Sequence, residues 1–157
     1  ANEEGWNNEM MWAHYGDKHK GVCIEIDEDI LIRNLDNLSF DYKLENIDYS
    51  ETGKKAYIVW NKGMDIESNI TRFVDRSYKS LGYRKSGCWS TEDERRLMIL
   101  NHDKQVFIPI GNAITALYLG TDFIFKYLPS IKSQIPNSIK LNRLIYQHFK
   151  FEKWDVN

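Results

Sequence analysis

Between Asp65 and Tyr83 the apolar residues Ile66, Ile70, Phe73, Val74, Tyr78 and Leu81 recur at helical spacing, with charge on the other face. The pattern predicts one long core helix, opened by Asp65 as N-cap with Glu67 in its first turn and closed near Gly82. A shorter helix is predicted through Met10–Tyr15, with Asn7 or Asn8 as N-cap, Glu9 in the first turn and Gly16 at its end. Gly21 then releases the chain into a β-branched run, Val22–Ile26, which reads as the first strand. Asp27, Glu28 and Asp29 form an acidic turn able to cap a short helix, Ile30–Leu35, and residues 34–41 read as a polar loop. Further strands are expected at Leu44–Tyr49, Gln105–Ile110, Ala113–Leu119 and Leu141–Phe151. Ala56–Trp60 fits a short strand or a helix start, Ser50–Lys55 a connecting loop, and Asn101–Lys104 a hairpin-like turn. Asp122 is placed to cap a helix from Phe123 that Pro129 disturbs. These elements add up to an α+β fold: a mixed, mostly antiparallel sheet packed with one long helix and shorter helices.

Length and composition narrow the picture. A chain of 157 residues is one domain's worth, long enough to bury a core, and 42% hydrophobic with 13% aromatic residues argues against disorder. The formal net charge is −2 with both signs interspersed, so nothing global points to nucleic acid or an anionic membrane as partner. No apolar run reaches the roughly 18 residues of a spanning helix, and no signal-peptide pattern is present. Cys23 and Cys88 are too few and too far apart for a metal signature or a disulfide framework. Both are expected to serve as small buried hydrophobes in a reducing cytoplasm. The chain opens at Ala1 and enters the Met10 helix almost at once, which fits the C-terminal part of a longer protein.

Two stretches carry chemistry. The first is Met10–Ile26, where a Met/Trp/Tyr run is followed by two imidazoles, His14 and His19. His14 and Tyr15 are adjacent on a helix, so they point about 100° apart and cannot both face one core. The second is Lys85, Trp89, Glu92, Glu94 and Arg96. If residues 92–96 are a strand, Glu92, Glu94 and Arg96 share a face, and the two carboxylates stand about 7 Å apart. Partly buried, they would shift one another's pKa, and Arg96 could hold both ionised or order one while the other works. The plainer reading is a charged edge whose Glu–Arg ladder faces water.

Met11-Trp12-x-His14-Tyr15, His19-x-Gly21-x-Cys23-Ile24-Glu25 and Lys85…Trp89-x-x-Glu92-x-Glu94-x-Arg96 together resemble a widespread bacterial family of domains of unknown function. Its members carry comparable MW-x-HY…G-x-C-I-E-F and K…W-x-x-E-x-E-x-R segments. The likeness covers roughly residues 8 to 120. It implies an upstream segment with an Asn-Asp-Pro-like motif preceding this chain, and it brings no established activity.

Three functions fit these residues. The Ser90-Thr91-Glu92-x-Glu94 run entering a strand resembles the E-x-E of ADP-ribosyltransferases. That likeness implies an NAD-using transferase or glycohydrolase, with Glu94 as catalytic carboxylate against an oxocarbenium-like transition state, Glu92 as helper, and His14 or Tyr15 touching ribose or nicotinamide. A metal-dependent hydrolase or nuclease would use His14, His19, Glu92 and Glu94, although two histidines straddling Gly16 do not share a helix face. A non-catalytic recognition or sensor module would bind a small molecule or protein with Trp12, Tyr15 and Trp89 as anchors and Lys85, Glu92, Glu94 and Arg96 orienting it. In each case one site is expected, where the MW-x-HY helix meets the E-x-E strand. Against these stand bland roles: Trp12 and Trp89 as core or pocket wall, and Glu25 solvent-facing by alternation or paired with Arg96 or Lys85. His102, in a predicted turn, and His148, in a late strand, receive no role.

Overall fold

The computed structural model describes residues 5–38, 41–50, 57, 59–100 and 105–156. The chain divides into two compact units, Ala1–Phe40 with His102–Asn157, and Asp41–Asn101. No helix among the described residues is long and apolar enough to cross a membrane.

The first unit holds helices α1 (Glu9–Tyr15), α2 (Glu28–Asn37) and α4 (Leu128–Gln134), and strands β1 (Val22–Ile26), β4 (Ile114–Leu119), β5 (Lys140–Gln147) and β6 (Lys150–Asp155). The strands form one sheet in the order β1-β4-β5-β6. The β1/β4 and β5/β6 pairs are antiparallel and β4/β5 is parallel, so the sheet is mixed and mostly antiparallel. Local chemistry sets the helix starts. Asn8 caps α1 by accepting the Met11 N–H at 3.2 Å, and Asp27 caps α2 by accepting the Ile30 N–H at 2.9 Å. α2 therefore runs past the predicted Leu35 into the stretch expected to be loop. The core gathers Trp12, Ala116, Tyr118, Leu144 and Phe151, with Trp6 and Cys23 packed against it.

Three expectations for this half change. Gln105–Ile110 has no strand, because Pro109 cannot donate to a ladder and no neighbour among the described residues pairs with the run. Leu141–Phe151 is not one strand but the β5/β6 hairpin, which turns at His148 and Phe149 with φ of 51° and 61°. Pro129 does not disturb a helix from Phe123. It sits in the first turn of α4, where its missing N–H costs nothing.

The second unit holds α3 (Ile66–Gly82) and the antiparallel pair β2 (Asp41–Asn46) and β3 (Arg95–Leu100). Asp65 caps α3 as predicted, accepting the Ser68 N–H at 2.8 Å. β2 lies earlier than the expected Leu44–Tyr49, since its ladder runs from Asp41 opposite Leu100 to Asn46 opposite Arg95. The apolar stripe of α3 is not all core: Ile66, Ile70 and Leu81 are exposed, whereas Asn69 and Ser77 are buried. Asn69 earns its burial through hydrogen bonds. Its amide donates to the carbonyls of Asn61, Met64 and Asp65 and accepts the Asn61 N–H, tying the preceding turn to the helix. Residues 51–56 and 101–104, which include most of one predicted loop and the predicted hairpin turn with His102, lie outside the described residues.

Candidate functional site

The Lys85–Arg96 stretch closes into a network, by a route other than strand alternation. Gly87–Glu92 is a 3₁₀ turn, so residues three apart eclipse, and Trp89 and Glu92 fall on the same side. Asp93 then takes a left-handed conformation with φ of 45°, reversing the chain before β3 begins at Arg95. Glu92 and Glu94 are thus presented from opposite sides of a bend, and Lys85 lies between them. Its ammonium donates to Glu92 Oε2 and to Glu94 Oε2, the second at 3.5 Å, and stands 5.2 Å from the centre of the Trp89 ring. Arg96 shares a strand face with Glu94 and grips it bidentately, Nε to Oε1 at 2.6 Å and Nη2 to Oε2 at 2.9 Å. Its Nη1 donates to the Gly82 carbonyl at 2.5 Å.

Burial and charge fix the chemistry of this network. The Glu92 side chain is only 6% exposed, against 28% for Glu94 and 34% for Arg96. The Arg96 hydrogen bonds beside Glu94 hold its carboxyl below the usual glutamate range, aided by the Lys85 charge and opposed by partial burial. Arg96 is correspondingly raised by the Glu94 carboxylate. Two carboxylates and two cations form a chain of alternating sign with no formal net charge. Arg96 grips Glu94 and does not reach Glu92, which leans on Lys85. Tyr49, which the sequence reading missed, accepts the Glu94 N–H at 2.9 Å and fixes the bend from a segment 45 residues earlier. Nothing local to Tyr49 marks that role.

The first constellation lies in the other unit. Trp12 is buried and donates its indole N–H to the Trp6 carbonyl at 2.8 Å, so it is core. His14 and Tyr15 are exposed on α1 in edge-to-face contact, with ring centroids 6.3 Å apart. Glu25 is held within its own unit. It accepts from Tyr118 at 2.6 Å and Thr115 at 2.7 Å, hydrogen bonds that set its carboxyl below the usual range. Cys23 is half-buried, and burial pushes its thiol up; Cys88, expected to be buried, is exposed and contacts Ser86 Oγ at 3.3 Å. Among the described residues no three His, Cys, Asp or Glu side chains converge as ligands for a metal ion.

The model of the family described as "Protein of unknown function (DUF2971)" matches residues 11–97, more than half of the chain. The chain belongs to the DUF2971 family. The match begins at Met11 of the MW pair and ends one residue past Arg96, so both motifs lie inside it. Strands β4, β5 and β6, which complete the sheet around β1, lie beyond it. No curated protein and no solved structure matches this DUF2971 member. Within the matched region the network gives the K…W-x-x-E-x-E-x-R spacing a physical meaning. The +3 step from Trp to the first Glu is a 3₁₀ turn, the E-x-E step crosses a left-handed residue, and the E-x-R step is strand alternation.

Proposed function

We propose that the Lys85–Glu92–Glu94–Arg96 network, walled by Trp89, is a recognition site for a small hydroxylated ligand and not an acid–base centre. The observation that carries this is the bidentate Arg96–Glu94 pair with Lys85 reaching both carboxylates. A carboxyl held below its ordinary range is no proton donor near neutral pH, and its lowered basicity makes it a weak base. A network with no formal net charge gives a strongly charged ligand little to gain. Vicinal hydroxyls, by contrast, can donate to carboxylates and accept from the ammonium and guanidinium, while a sugar face packs on the indole. Trp89 is about a third exposed, enough to serve as that wall. His14 and Tyr15 are not required by this reading. A cytoplasmic setting belongs to the same proposal, as both cysteines are free thiols.

The NAD-using reading keeps one supporting observation: a carboxylate acting on an oxocarbenium-like centre must be ionised, and Glu94 is held in that state. The bidentate Arg96 weighs against it, because the same guanidinium offsets the charge such a centre would need. Calorimetric titration with NAD, ADP-ribose and a set of monosaccharides, together with a nicotinamide-release assay, separates the two. Ligand heat lost in Glu94→Gln and Trp89→Ala without turnover supports recognition. Nicotinamide release abolished by Glu94→Gln would establish the transferase reading instead. No heat from any of these at concentrations on the order of 10 mM sinks both.

A further inference from the structure

We propose that the first unit carries a second site, a small pocket in which Glu9 and Thr121 bind the nitrogen of a small organic cation whose body rests on the rings of Phe151, Tyr146 and His19. It is a cavity of about 270 Å³ lined by Glu9, His19, Thr121, Tyr146 and Phe151. That volume lies just below the roughly 300–1,000 Å³ range of drug-sized sites, so it suits a metabolite-sized molecule.

The pocket is assembled from four separate pieces of chain. Glu9 comes from the first turn of α1, and Thr121 follows the end of β4. Tyr146 and Phe151 sit opposite one another across the β5/β6 hairpin, with ring centroids 5.3 Å apart. His19 arrives from a turn in which Asp17, Lys18 and His19 all have positive φ, at 46°, 52° and 68°. Non-glycine residues adopt that conformation at a cost, and three in succession persist only where the surroundings hold them. Here the His19 carbonyl accepts the Asp122 N–H at 3.0 Å, and the His19 N–H reaches the Trp12 carbonyl at 3.4 Å. Gly120 passes so close to the His19 carbonyl that no Cβ fits between them. The turn therefore fixes where the imidazole goes. The ring stacks at 16° to Trp12, 6.4 Å away, and lies 5.9 Å from Phe151. It is held by these rings and not through Nδ1, which is buried with no hydrogen-bond partner among the described residues.

The lining chooses the ligand's charge. Glu9 is the carboxylate, exposed at the rim, and hydrogen bonding toward it raises the pKa of the Tyr146 hydroxyl. An anion would meet Glu9 unfavourably. A wholly apolar guest would cover the Glu9 and Thr121 oxygens and give them nothing. A cation with N–H donors satisfies both oxygens and gains from the electron-rich aromatic faces around it.

NMR titration of the whole chain with benzamidinium, neutral benzamide and anionic benzoate tests the proposal, read at the His19, Thr121 and Phe151 resonances. Benzamidinium is expected to shift these with a Kd on the order of 1 mM, benzamide to bind at least about tenfold more weakly, and benzoate to leave them unmoved. Glu9→Gln should weaken benzamidinium by about tenfold or more while keeping the dispersed spectrum of the folded chain. Tyr146→Phe, which frees Glu9 from its hydroxyl partner, should bind at least as well as the parent. Equal binding of benzoate, unchanged binding by a folded Glu9→Gln, or no shift at these residues with benzamidinium on the order of 10 mM overturns it. The Trp89 indole signal reports on the other unit, so success or failure here is read independently of the hydroxylated-ligand proposal.

Discussion

Replacing Glu92 by Gln removes the negative partner of Lys85 where the site is least wet, with the Glu92 side chain 6% exposed and that of Lys85 23%. Removing one member of a fully buried ion pair costs about 3–5 kcal/mol, because the survivor stays desolvated and unpaired. Here the surviving ammonium keeps Glu94 at 3.5 Å and the Trp89 face at 5.2 Å, so the loss should be smaller, about 2–3 kcal/mol. Lys85→Met should cost more, about 3–4 kcal/mol, since it takes the cation away from the more buried partner. The double variant K85M/E92L replaces both charges by apolar groups and should be less destabilised than Lys85→Met alone. The coupling between the positions should then be about 1–3 kcal/mol. Urea denaturation followed at the amide resonances of β3 measures this within the unit concerned. If both single variants lose less than about 0.5 kcal/mol, the pair is worth no more than a surface salt bridge. Strict additivity would equally refute the picture of a shared, desolvated network.

Acid should act through the same network. The folded-state pKa of Glu94 is lowered from the usual 4.5, so its stabilising contribution is complete above about pH 4.5 and is lost as pH falls through the folded value. Stability measured against pH should decline on that acid side, and Glu94→Gln should flatten the decline; an identical limb in the variant would refute the assignment. Two glycines should respond in opposite ways. Gly120→Ala drives a Cβ into the rigid His19 backbone and should cost about 1–3 kcal/mol or more, whereas Gly82→Ala meets only the flexible end of Met98 and should stay within about 1 kcal/mol, both read by thermal melts. Asp65→Ala removes the cap that accepts the Ser68 N–H and should cost about 0.5–2 kcal/mol; increased amide exchange confined to the first turn of α3 is the signature, and its absence would show the cap to be idle.

What the sequence made legible was whatever depends on neighbours along the chain. Asp65 is identifiable as a cap, Asn8 as one of two candidates and Asp27 as part of an acidic turn, because a cap needs only the three residues that follow it. Val22–Ile26 was readable because Gly21 and Asp27 bracket a β-branched run. The failures involve partners distant in sequence or backbone turns that the residue types do not signal. Gln105–Ile110 has the composition of a strand, but a strand exists only where another strand pairs with it. The β5/β6 turn is made by His148 and Phe149, neither of them a residue that announces a left-handed turn, so the hairpin read as one long strand. The stripe of α3 correctly predicted a helix but not how much of its apolar face is covered: Phe73, Val74 and Tyr78 are half-buried, whereas Ile66, Ile70 and Leu81 are exposed. Periodicity reports that a face is apolar, and only the rest of the fold decides whether anything covers it.

The candidate site shows why a motif can be recognised correctly and explained wrongly. The spacing of Trp89, Glu92, Glu94 and Arg96 is consistent with a single strand for its last three members, which is how alternation reads it. The folded chain instead uses a different local geometry for each step: a 3₁₀ turn, a left-handed residue, then a strand. These bring the same side chains together with different partners. Under alternation Arg96 would stand on the face of both carboxylates and could hold both ionised or order one while the other works. With the bend at Asp93, Glu92 turns inward to Lys85 and Arg96 is committed to Glu94. That one residue with φ of 45° decides which carboxylate each cation meets. Its geometry is invisible in the one-letter sequence because Asp is only moderately enriched in left-handed conformations. The same logic governs the turn at Asp17–His19, where left-handed residues between two glycines carry an imidazole into a pocket of the first unit. In both units a left-handed non-glycine residue, Asp93 in one and the Asp17–His19 turn in the other, redirects the chain beside the candidate side chains, and hydrogen bonds from neighbouring segments sustain it.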